Sequence, residues 1–199
     1  MMNSDYRLKQ LIRKRQDCLE WHQSAYEVVK YHPANYNENG HYVKKEWTSM
    51  WDIGRSFDGK NLTIDDYLEI ENEYVEVAMD VMKECGCRLI TVVFWGGTIK
   101  TILPRILKRS PLRESDIDLY KSIFGLRSGS RIHINKIEPL LRLALREWKD
   151  FVFISFSHNV QIDIGYDYYM HIHASIDKDR LRSIVESKNL FLNPRDRIR

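Results

Sequence analysis

Apolar and polar positions separate most cleanly between Leu62 and Met82, LTIDDYLEIENEYVEVAMDVM. Ile64, Tyr67, Leu68, Tyr74, Val75, Ala78, Val81 and Met82 recur at helical spacing and predict one buried stripe. Asp65, Glu69, Glu73, Glu76 and Asp80 step along the other side by threes and fours. Thr63 at the N-cap, Asp66 three residues on and Leu62 before the cap predict a capping box with a hydrophobic staple onto Tyr67. Gly86 supplies the C-terminal stop. Glu71 falls on the apolar side, where a carboxylate requires a donor or a place at the rim.

The same 3.6-residue period joins Leu8, Leu11, Ile12, Leu19, His22, Tyr26 and Val29, predicting a first helix from a Ser4 cap to about Lys30, ended by His32-Pro33. His41 to Phe57 is rich in Trp without a clean period and reads as irregular, and Asp58-Gly59 marks a turn. Arg88–Trp95 is short, β-branched and aromatic, a buried strand broken by Gly96-Gly97. Ser115–Phe124 and Lys136–Trp148, the latter capped by Asn135, carry helical spacing. Three strand-like runs follow, Phe151–Phe156, Val160–Ile164 and Tyr168–His173, with links short enough for antiparallel hairpins. Ile176–Ser187 predicts a further helix and Leu190–Leu192 a last short strand. The order predicts one α+β domain over 1–199, with N-terminal helices packed on a small, mainly antiparallel sheet that ends in a C-terminal meander.

Composition narrows the class. At 199 residues with eleven Tyr and five Trp, the chain has the means for a sizeable core and is not compositionally disordered. No apolar stretch is long enough to span a bilayer, and the charged N-terminus lacks the apolar run of a signal peptide, so a cytoplasmic protein is expected. Three cysteines, Cys18, Cys85 and Cys87, fit small buried groups better than disulfides or a structural zinc site. The net charge of +3 hides asymmetry. Seven carboxylates lie between Asp65 and Asp80, whereas cations cluster at Arg7–Arg15, Lys100–Arg113 and Arg195–Arg199. The acidic helix face is either solvated or attracts a basic partner.

Three patterns bear on chemistry. Gly96-Gly97 followed by Ser115-Asp116-Ile117-Asp118 is similar to the signature of polymerase β-type nucleotidyltransferases, in which two carboxylates one residue apart on a strand hold magnesium. The gap from Gly97 to Asp116 is long for that family. Ile117, Tyr120, Ile123 and Phe124 also favour a helix, on which positions i and i+2 diverge. His171 and His173 share one face of a strand, and with Asp163 or Asp167 they form a candidate metal set, or else two polar residues on the solvent side. Ser155, Ser157 and His158 lack a nucleophile elbow. The reading implies no catalytic residue, cofactor or metal.

Phe57–Met82, Ile137–Glu147 and the strands ending IDIGYDYYMHIHAS, Ile162–Ser175, together resemble small bacterial immunity proteins of polymorphic toxin systems, including contact-dependent growth inhibition. Gly165–Met170 followed by a helix and Leu190-Phe191 carries most of the likeness, which covers Trp51 to Leu192. The resemblance implies a non-catalytic protein that binds and neutralises the C-terminal toxin domain of a cognate effector. That toxin is often a nuclease, and neither nucleic acid nor membrane is a direct partner. Asp65, Glu69, Glu73 and Glu76 on the acidic helix, and Tyr166, Asp167 and Tyr168 on the tyrosine-rich hairpin, are the candidate partner-binding residues. The basic total departs from the acidic balance common among inhibitors of basic nucleases. Asp116 and Asp118 with magnesium stand as the alternative, enzymatic reading.

Overall fold

A computed structural model describes residues 25–94 and 99–193. The fold is α+β. Seven strands form one sheet in the order β5-β4-β6-β7-β8-β1-β9. They are β1 (Ala25–Val29), β4 (Leu89–Phe94), β5 (Ser130–His133), β6 (Phe151–Ser155), β7 (Val160–Ile164), β8 (Met170–His173) and β9 (Phe191–Leu192), and every neighbouring pair runs antiparallel. A separate two-stranded ribbon, β2 (Ser56–Phe57) and β3 (Lys60–Asn61), turns at Asp58-Gly59. Both turn residues have positive φ, 49° and 81°, the handedness that matches the strand twist of a tight hairpin.

Strand alternation sets the two faces of the sheet. Val92, Phe153, Ile162, Ile172 and Tyr26 are in register across five strands on one face. That face joins the main core with α1 (Ile64–Glu84), α2 (Leu103–Arg109), α3 (Arg113–Ser122), α4 (Glu138–Leu145) and α5 (Lys178–Glu186). The opposite face carries the row Val93, Val152, Asp163, His171 and Glu27, with Val93, Val152 and Ile154 forming a smaller apolar cluster.

Helix α1 is the best-specified element. The Thr63 hydroxyl accepts the Asp66 N–H, and the Asp66 carboxylate accepts the Thr63 N–H in return. Gly86 at φ 74° closes the other end, its N–H bonding to the Lys83 carbonyl while the Cys87 N–H bonds to that of Met82. The buried stripe is Tyr67, Glu71, Tyr74, Val75, Val77, Ala78, Val81 and Met82. Ile64 departs from the expected stripe and is exposed.

Several boundaries differ from the sequence reading. The helix expected to reach Lys30 gives way to strand β1 from Ala25, because Val28 and Val29 pair with Met170 of β8 and with β9. The earlier part of that expected helix lies outside the described residues. The sheet is larger than anticipated, and β1 precedes every described helix. The helix expected over Lys136–Trp148 begins as a 3-10 turn, Ile134–Lys136, capped by the His133 ring rather than by Asn135. Tyr166–Tyr168 is a 3-10 turn, so β8 starts only at Met170. Among the described residues no helix is long and apolar enough to cross a membrane.

Candidate functional site: the Gly165–Tyr169 turn and its pocket

The turn between β7 and β8 is held from four directions. The Gly165 N–H donates to the Tyr169 carbonyl at 2.7 Å, and the Tyr169 N–H to the Tyr166 carbonyl at 3.2 Å. From outside the turn, the Tyr31 hydroxyl donates to the Asp167 carbonyl at 2.7 Å, and the Tyr74 hydroxyl of α1 to the Tyr168 carbonyl. This bracing supports two consecutive non-glycine residues in the left-handed region, Asp167 at φ 57° and Tyr168 at φ 62°. Each costs on the order of 1–2 kcal/mol in an L-residue, and such conformations persist only where surrounding contacts over-determine them. Gly165 is needed for space, since a Cβ there would lie 3.2 Å from His171 Cε1 and 3.4 Å from the Tyr169 carbonyl oxygen.

The strained backbone breaks the alternation that a strand would impose. Tyr168 turns inward, 2 % exposed, with Trp47, Tyr67 and Tyr74 packed edge-on around its ring. Burial pushes its phenol well above the ordinary range. Tyr168 is therefore a core peg, which corrects its assignment as a contact residue. Tyr166 turns outward and is 79 % exposed, with exposed Asp167 beside it.

Tyr166 lines a pocket of about 640 Å³ together with Arg105, Trp148, Lys149, Glu147, Asp150 and Gly165. Glu147, at φ 57°, ends α4 in the conformation usually given to glycine. The Trp148 N–H returns to the Leu143 carbonyl at 3.0 Å, which folds Trp148 beneath its own helix. The Arg105 guanidinium lies 5.7 Å from the centre of the Trp148 ring. Burial lowers the Lys149 ammonium and Arg105 lowers it further, against Asp150, which raises it. Burial raises the Glu147 carboxyl, opposed by hydrogen bonds from Trp51 and Ser49.

A buried ion network underlies this region. Arg146 donates through Nε and Nη2 to the two oxygens of Glu71 at 2.6 and 2.8 Å, and through Nη1 to Asp116 at 2.7 Å and Ser115 at 3.0 Å. Arg142 adds a bond to Glu71 at 2.7 Å, while Trp148 Nε1 at 2.8 Å and the Ser110 hydroxyl donate to Asp116. Glu71, Asp116 and Arg146 are all buried. Desolvation disfavours the charge on Arg146, but the hydrogen bonds it donates to Glu71 and then Asp116, with their negative charges, outweigh it and hold its pKa above the usual value. The donor that Glu71 required is thus Arg146, locking α1 to α4 and, through Asp116, to α3.

The network also bears on the magnesium reading. Asp116 and Asp118 sit on helix α3, not on a strand. Asp116 is consumed by Arg146, whereas Asp118 is exposed and pairs with Lys121 at 3.0 Å. The structure does not bring the two carboxylates to one side. His171 and His173 do share the outer sheet face, but both nitrogens of His171 are engaged, Nδ1 with Asp163 at 3.1 Å and Nε2 with Glu27 at 3.2 Å. These hydrogen bonds, Asp163 first, raise its pKa to about 10, so it is an imidazolium strapping three strands. Among the described residues no cluster of three or more His, Cys, Asp or Glu suits a metal ion.

The acidic face of α1 is largely satisfied within the molecule. Glu73 accepts from Asn189 at 2.9 Å, and Glu76 pairs with Lys188 at 2.7 Å, both donors lying just after α5. Asp80 pairs with Lys83 at 3.1 Å and Asp66 with Lys60 at 2.7 Å. Asp65 and Glu69 remain exposed without an ion pair among the described residues. Of the candidate contact residues named from sequence, Tyr166 and Asp167 lie exposed on this turn, whereas Arg105, Trp148 and Lys149, which line the pocket, were not among them. These come from α2 and the end of α4, and the only local signal was the basic run from Lys100. No protein-family model, curated protein or solved structure matches this chain.

Proposed function

We propose that the chain is an immunity-type protein that binds and neutralises the C-terminal toxin domain of a cognate contact-dependent growth inhibition or related effector in the bacterial cytoplasm. The observation that carries the reading is the Gly165–Tyr169 turn. An aromatic side chain that is 79 % exposed projects from a backbone fixed by four hydrogen bonds, at the rim of a charged pocket. An aromatic on a fixed backbone has only its side-chain freedom to lose on binding, which suits an interface anchor. The same residues, Gly165 to Met170, carry the resemblance to immunity proteins.

The contact surface differs from the one first expected. Tyr166 and Asp167 stay in it, Tyr168 serves from behind as the peg, and exposed Arg105 of the pocket joins. Co-expression with the toxin domain encoded immediately upstream tests the proposal. Wild-type protein is expected to restore growth and co-purify with the toxin, and Tyr166→Ala to weaken the complex by roughly 30-fold, the effect of removing an anchor worth about 2 kcal/mol. Absence of both rescue and co-purification refutes the immunity assignment.

A further inference from the structure

Sorting the surface charges by their intramolecular partners leaves an unexpected residue of sign. Most of the α1 carboxylates are engaged: Asp66, Asp80, Glu76 and Glu73 by Lys60, Lys83, Lys188 and Asn189, Glu71 by Arg142 and Arg146, and Glu84 by Arg180. By contrast Lys100, Arg105, Lys108 and Arg109 are exposed, and none forms an ion pair among the described residues. They fall within ten residues of chain on α2 and the 3-10 turn before it. Exposed apolar groups flank them on α2 and after α3. Leu107 is 43 % exposed and Phe124 60 %, with the Lys100 ammonium 5.5 Å from the Phe124 ring centre. Through Arg105 and Trp148 this surface continues into the pocket below Tyr166.

We propose that α2, Phe124 and the Tyr166 pocket form one docking surface, and that it receives an acidic protein surface. Charge complementarity selects the sign, since four unneutralised cations accelerate encounter with a carboxylate-rich face. The apolar side chains select the class. Leu107, Phe124 and Tyr166 offer exposed apolar and aromatic groups that a protein partner would desolvate on binding. The carboxylates of Glu147 and Asp150 share the pocket with Arg105 and Lys149 and interrupt its positive charge, which suits the discrete, spaced carboxylates of a protein surface better than the unbroken phosphates of a nucleic acid. The proposal deepens the immunity reading and rests on it for the partner's identity. It implies a toxin domain whose bound face is acidic, which accounts for an inhibitor of net positive charge.

The test uses the full chain and a fluorescent oligoglutamate peptide, beside an oligothymidylate of equal net charge, each titrated at low and physiological ionic strength. The peptide is expected to bind more tightly than the oligonucleotide and to shift the amide resonances of Leu107, Phe124 and Tyr166. The triple variant R105E/K108E/R109E is expected to lose at least about 10-fold in peptide affinity. L107A/F124A, which leaves every charge in place, is expected to weaken the peptide less than the triple variant does and to speed dissociation of the toxin complex. Tighter binding of the oligonucleotide overturns the proposal in favour of a nucleic-acid surface. Shifts confined to the neighbourhood of Glu69, or undiminished affinity in the triple variant, overturn it as well. Failure of the wild-type chain to co-purify with the toxin refutes the immunity reading and leaves the peptide result to decide the surface.

Discussion

Replacing Arg146 with methionine keeps most of the side-chain volume and removes the one cation that touches both buried carboxylates. In the native chain Arg146 makes two bonds to Glu71, one to Asp116 and one to Ser115, and two carboxylates are balanced by two guanidiniums, those of Arg142 and Arg146. After the substitution Glu71 retains Arg142, but Asp116 keeps only the neutral donors Trp148 and Ser110. A buried charge left without its partner costs about 3–5 kcal/mol, a large share of the roughly 5–15 kcal/mol typical of a folded domain. At about 2–4 °C per kcal/mol for a chain of this size, the midpoint of thermal unfolding is expected to fall by roughly 6–20 °C. Urea unfolding followed by tryptophan fluorescence reports it directly, because buried Trp148 donates to Asp116. The diagnostic control is the triple variant Glu71→Gln/Asp116→Asn/Arg146→Met, which removes charge of both signs. It is expected to recover at least about 1 kcal/mol over Arg146→Met alone, since neutral amides are cheaper to bury than an unpaired carboxylate. A loss under about 1 kcal/mol in the single variant, or a triple variant less stable than the single, would refute the view that Arg146 neutralises this cluster.

Further outcomes follow from the same structure. Tyr166→Ala is expected to change unfolding free energy by less than about 0.5 kcal/mol, as befits an exposed side chain, while it weakens toxin binding, so the two assays must separate. The folded-state pKa of His171, about 10, lies above its unfolded value near 6.5. Its contribution is therefore complete below pH 6.5 and disappears as pH rises through 10. With the ring 39 % exposed, solvent screening reduces that contribution to about 1–2 kcal/mol, and His171→Gln should flatten the decline in stability measured between those limits. Thr63→Ala removes the cap of α1 and is expected to cost about 1 kcal/mol in urea unfolding, with no change in partner affinity. Glu76→Lys sets like charge against Lys188 and is expected to lower stability by up to about 1 kcal/mol without slowing association; a slower on-rate would restore the acidic face as a docking surface.

The sequence was most informative where local rules and tertiary demand agree. Thr63, Asp66 and Gly86 delimit α1 because caps act through backbone groups a few residues away. The meander β6–β7–β8 was legible from β-branched runs joined by short links. Its failures share a cause of a different kind. Tyr26 and Val29 continued a helical period, yet Val28 and Val29 gain more by pairing with β8 and β9, residues about 140 and 160 positions away. Strand β5 and helix α2 escaped notice because their four and seven residues offer too little period to read.

For the candidate site the division is equally physical. The sequence by itself determined that Glu71 needed a donor or a place at the rim and that the stretch Gly165–Tyr169 was unusually rich in tyrosine, because both follow from residue type and local spacing. It also established an excess of acid on α1 and of base around Lys100. Only the tertiary structure decided which charges cancel. Lys188 and Asn189 reach Glu76 and Glu73 across more than a hundred residues, and Arg146 reaches Glu71 across 75. It alone decided that Tyr168 points inward and Tyr166 outward, because two left-handed residues braced by the hydroxyls of Tyr31 and Tyr74 override strand alternation. Contacts between residues far apart in the chain determine where a local preference yields, and local sequence carries no record of them.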